Sequence, residues 1–109
     1  MSKVYVVSQQ PGFDMSSALD FGEAVTLFPS GTAIYLDADE FVRIARRKLS
    51  AMEPEDYLLL AGDPVAMGIA FAVAAEVTGG FVRVLKWDRR KGPTGGYRVV
   101  PVNLEAQPD

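Results

Sequence analysis

The stretch from Asp56 to Val77 constrains the fold more than any other part of the chain. Asp56 to Ala61 (DYLLLA) is a continuous apolar run, the pattern of a strand buried on both faces. Gly62-Asp63-Pro64 follows, with Asp63 suited to cap a helix and Pro64 to occupy its first turn. The next residues, VAMGIAFAVAAEV, have almost no polar face before Thr78-Gly79-Gly80 stops them. A doubly buried strand that runs directly into an apolar helix is a building unit of an α/β sheet.

The flanking segments repeat this alternation. Lys3 to Ser8 (KVYVVS) and Glu23 to Phe28 (EAVTLF) read as strands. Between them, Asp14 can cap a short helix ending at Leu19 or Phe21. Thr32 to Leu36 reads either as a short strand or as an extended approach to the next helix. That helix starts at Asp37 or Asp39 and ends before Pro54. Its stripe is Phe41, Ile44, Ala45, Lys48, Leu49 and Met52, in which Lys48 is the one polar member. Phe81 to Trp87 and Tyr97 to Leu104 complete the strands, joined by a charged loop with three glycines that favours an antiparallel hairpin. Pro101 favours an edge position for the last strand.

The pattern β-α-β-α-β-α-β-β predicts an α/β fold: a single three-layer, Rossmann-like or flavodoxin-like domain. Its sheet is mostly parallel, of about five strands in the order 2-1-3-4-5, with a C-terminal antiparallel hairpin. The domain is expected to span residues 1–104, with 105–109 as a tail. The 109 residues fit one such unit.

Composition then removes whole classes of chemistry. The chain has no cysteine and no histidine, which excludes thiolate nucleophiles, His-based triads and His or Cys metal sites. No activated nucleophile, metal cluster or matched acid–base pair can be read, so a non-enzymatic role without cofactor or metal is expected. The longest apolar stretch, Pro64 to Ala75, is well short of the roughly 20 residues of a spanning helix. The expectation is a soluble, cytoplasmic protein with no membrane partner.

Four constellations are candidates for function. The first is the crevice at the carboxyl ends of strands one and three, where the strand order reverses. It would be lined by Ser8, Gln9, Gln10, Gly12, Gly62 and Asp63. A small molecule or nucleotide fits that position, but there is no phosphate-binding glycine fingerprint. Asp63 is better explained as a helix cap. The second is a basic hairpin holding Arg83, Lys86, Arg89, Arg90, Lys91 and Arg98, opposed only by Asp88. It can contact phosphate backbones, with Trp87 and Tyr97 available to stack. The same charges are better explained as a solvated turn that protects a sheet edge from aggregation. The third is the acidic group Asp37, Asp39 and Glu40, best explained as the favourable start of a helix. The fourth is the apolar third helix. Small residues recur at Ala66, Ala70 and Ala74, and again at Gly68, Ala72 and Ala75. One row can press on the sheet while the other meets a partner. Met67, Phe71 and Ala74 are the residues expected at such an oligomer interface.

Three segments together carry a resemblance: EDYLLLAG at Glu55 to Gly62, the apolar helix after it, and VRVLKWD at Val82 to Asp88. KVYVV and FGEAVTL fit the same pattern. The chain resembles small α/β proteins encoded by tailed bacteriophages, a group with no assigned activity. The resemblance implies a viral gene product, located in the host cytoplasm, and transfers no residue role. The leading expectation is a non-enzymatic binding protein that acts by protein–protein contact and self-associates, as a host-directed accessory protein or a minor virion component. A small-molecule or nucleotide binder is the second reading. A nucleic-acid binder using the basic hairpin is the third.

Overall fold

The computed structural model describes residues 2–9, 14, 16–29 and 37–109. The chain forms β1 (Lys3–Ser8), a 3-10 helix (Ser16–Phe21), β2 (Glu23–Phe28), α1 (Ala38–Lys48), β3 (Tyr57–Leu59), α2 (Pro64–Thr78), β4 (Phe81–Asp88) and β5 (Gly96–Asn103). The strands make one sheet in the order β2-β1-β3-β4-β5. All neighbours are parallel except β4 and β5, which pair antiparallel. This is the α/β architecture and strand order that the alternation predicted. The ambiguous stretch Thr32 to Leu36 lies outside the described residues.

The strand order also dictates which face each helix covers. The β1-to-β2 step runs in one direction across the sheet, and the next two steps run in the other. Right-handed connections then put the first on one face and the other two on the opposite face. The buried clusters divide in that way. Tyr5, Val7, Leu27, Leu58 and Val82 pack under α1 and α2. Val4, Val6, Leu59 and Leu85 pack with Ala18 and Phe21 of the 3-10 helix. β1 is buried on both sides because it has a strand on each edge and a helix on each face.

Three local features explain where elements end. Asp37 caps α1 by accepting the Glu40 amide at 3.0 Å. The helix stops at Lys48, short of the expected Met52, because the chain tightens there. The Met52 amide donates to the Leu49 carbonyl at 2.9 Å, an i to i−3 bond. Met52 still reaches the core. Lys48, the polar member of the stripe, donates to the Thr26 carbonyl at 3.0 Å on the outer strand β2. It thereby covers one backbone group of an open sheet edge.

β3 has three of the six residues expected, and just before its start Asp56 serves as a clamp. Its carboxylate accepts the Lys3 amide at 2.8 Å and the Glu53 amide at 2.9 Å. That ties the start of β1 to the loop before β3. Asp63 caps α2 by accepting the amides of Val65 and Ala66 at 2.8 and 3.0 Å. Gly79, at φ 72°, closes α2 in the left-handed conformation. Ala66, Ala70, Val73 and Ala74 form its inner row, while Arg46 of α1 bridges to Glu76 at 2.7 Å.

Candidate functional site

The sheet extends further than its helices cover. Among the described residues β5 pairs only with β4, which leaves its outer edge open. On the helical side of this hairpin, Val84 faces Val100 and Val82 faces Val102 across the two strands. Together with Leu60 and Phe71 of α2, Val84, Val100 and Val102 line an apolar groove of about 490 Å³. Val100 remains 38% exposed. The groove exists because α2 is set over β3 and β4, leaving the valines of β5 without a helix above them.

The outer surface of α2 continues this apolar face. Val65, Gly68 and Ala72 are exposed, one helical turn apart. A Cβ placed at Gly68 would find nothing within 4 Å among the described residues. No contact among the described residues therefore demands a glycine there, although glycine inside a helix costs about 1 kcal/mol relative to alanine. Of the three residues expected at an interface, Met67 and Phe71 are half-buried. Ala74 is fully buried in the chain's own core, so it has no surface to offer a partner.

Beside the groove, toward the hairpin turn, lies a second cavity of about 500 Å³. It is lined by Asp88, Arg89, Arg90 and Arg98, with Lys86, Trp87 and Val100 shared with the groove. Asp88 organises it. One carboxylate oxygen accepts the Arg90 amide at 2.9 Å and its Nε at 3.4 Å, and the other accepts Nε of Arg98. The Arg90 amide and then the Arg98 guanidinium hold the Asp88 carboxyl below its ordinary value. Trp87 lies over the turn glycine Gly95, at φ 87°. A Cβ there would stand 2.7 Å from the Trp87 ring.

The six basic residues of the hairpin therefore do not form one patch. Lys86, Arg89, Arg90 and Arg98 converge on the cavity. Arg83 lies over the Tyr57 ring at 4.1 Å and donates to the Glu55 carbonyl. Lys91 donates to the Tyr97 carbonyl and stands 5.7 Å from the Phe21 ring. These two cations brace the face that carries the 3-10 helix. Strand alternation held part of this signal, since residues 83 and 86 point to opposite faces.

The crevice at the ends of β1 and β3 is only partly described. Ser8 is buried and Gln9 is exposed, while Gln10 and Gly12 lie outside the described residues. Gly62 is half-buried, and Asp63 is committed to the first amides of α2. Asp37 and Glu40 both pair with Arg43, at 3.8 and 2.9 Å, as an acidic helix start would. Glu53 and Glu55 share a hydrogen bond that raises the first and lowers the second. No helix among the described residues is long and apolar enough to cross a membrane.

These features define the class: an α/β protein with a mixed 2-1-3-4-5 sheet and an uncovered, cationic edge hairpin. The chain belongs to the family described as Phage Pam3 gp32-like protein, whose pattern it matches over residues 2–104. That agrees with the resemblance to small phage proteins. Comparison with curated proteins and with solved structures finds no match.

Proposed function

We propose that this phage protein is a non-enzymatic binding protein that works through protein–protein contact, and that its first partner is a second copy of itself. The observation that carries this reading is the apolar groove between α2 and β5, open along an unpaired strand edge. The eight-residue edge strand offers a row of backbone donors and acceptors, interrupted at Pro101, which has no amide to donate. Two copies can satisfy that row by pairing β5 with β5 about a two-fold axis, each covering the other's groove. The exposed small residues of α2 allow close approach beside it. The sheet order is that of flavodoxin-like folds, and cytoplasmic action in the infected host is consistent with it.

Light scattering coupled to size exclusion tests the proposal. The wild-type chain is expected at twice its monomer mass at concentrations of about 100 µM, in the affinity range where weak homodimers form. Val100→Glu, which puts a charge in the groove, is expected to elute as monomer with an unchanged circular dichroism spectrum. A monomer at every concentration contradicts the proposal.

Ligand capture at the crevice of Ser8, Gln9, Gln10, Gly12, Gly62 and Asp63 is the weaker reading. The Asp63 carboxylate already occupies the helix amides that a phosphate would use.

A further inference from the structure

We infer that the cavity at the hairpin turn, formed by Lys86, Arg89, Arg90 and Arg98, binds the phosphodiester backbone of single-stranded nucleic acid. Four cations surround one carboxylate there, in a chain whose formal net charge is -3. The carboxylate does not neutralise them all, because Asp88 spends its oxygens on Arg90 and Arg98. Neither Lys86 nor Arg89 has an ion pair among the described residues. Lys86 and Arg98 also stand directly opposite each other in the ladder. Like charges so placed destabilise a strand pair. An arrangement that repels itself in the free protein is relieved by an anion between the two.

The exposure of these groups indicates which anion. The side chains of Arg90 and Arg98 are 92% and 58% exposed. An isolated carboxylate gains almost nothing from such solvated arginines. A polyphosphate chain gains from each contact, because every phosphate neutralised releases condensed counterions. The Trp87 ring packs edge-on against Tyr97 on the face of the 3-10 helix, so the cavity itself offers contacts to phosphates. Asp88 then acts as a positioning residue, fixing the two guanidinium groups before the ligand arrives. Arg83 and Lys91 take no part, being held against the opposite face.

Fluorescence anisotropy with a labelled single-stranded DNA 20-mer tests this. Binding is expected at 50 mM salt. With about four phosphate contacts it should weaken roughly 50-fold by 200 mM. Arg89→Glu, at an exposed site without an ion pair among the described residues, should weaken binding at least tenfold. Arg47→Glu on α1 removes the same charge elsewhere and should leave binding within about twofold. Three results would overturn the inference: no binding at low salt, equal losses in the two variants, or a poly-glutamate peptide binding as tightly as the DNA. The last would identify the cavity as a site for acidic proteins.

Discussion

At the scale of single residues, carboxylates that bind backbone amides do most of the organising. Asp56 is 6% exposed and accepts two amides from separate segments. Asp56→Ala leaves both donors unsatisfied at the start of the central strand. It is expected to cost about 2 kcal/mol, the usual range for hydrogen bonds to a charged group, measured by urea unfolding. A loss below about 0.5 kcal/mol would show that water replaces the clamp. Asp88 makes a different prediction. Its folded pKa lies below its ordinary value of 3.8, so its contribution is present above that value and is lost as pH falls below it. Trp87 emission should report loosening of the hairpin turn only below about pH 4, and Asp88→Asn should already show the loosened signal at neutral pH. An identical acid transition in both proteins would assign it elsewhere. Both carboxylates were visible in the sequence, but only one partner set was suggested there. Asp88 stood in a loop opposite named cations. Asp56 bonds across 53 residues to Lys3, a contact that no local pattern encodes.

At the scale of elements, the strands and helices were legible because their patterns are strong. β3 and α2 form an uninterrupted apolar βα unit, and α1 has a clear helical stripe. The short 3-10 helix was read only as a short helix, since six residues are too few to separate the two forms. The split of the hairpin cations was only half legible. Alternation separates Arg83 from Lys86, but the return of Lys91 to the Tyr97 carbonyl depends on the turn's own path. The apolar groove was not legible at all, because it arises from how far α2 reaches over the sheet. Gly68 is the most informative position in these elements. A methyl group there meets nothing among the described residues, so Gly68→Ala should stabilise the isolated chain by up to about 1 kcal/mol. If a second copy packs closely on α2, the same substitution should weaken association. Thermal unfolding at low concentration and sedimentation at high concentration separate the two effects. Stabilisation without any change in association would remove α2 from the interface.

At the scale of the whole molecule, the two edges of the sheet are treated differently. The β2 edge has Lys48 donating to one of its carbonyls. The β5 edge has Pro101, which lacks an amide, and is otherwise open beside the apolar groove. This asymmetry is the physical basis of the proposed self-association, and it supplies an internal control. Amide hydrogen exchange across a dilution series measures it most directly. Protection of β5 and of the exposed face of α2 is expected to rise with protein concentration, while β2 stays constant. Exchange in β5 that is the same at every concentration would contradict the account.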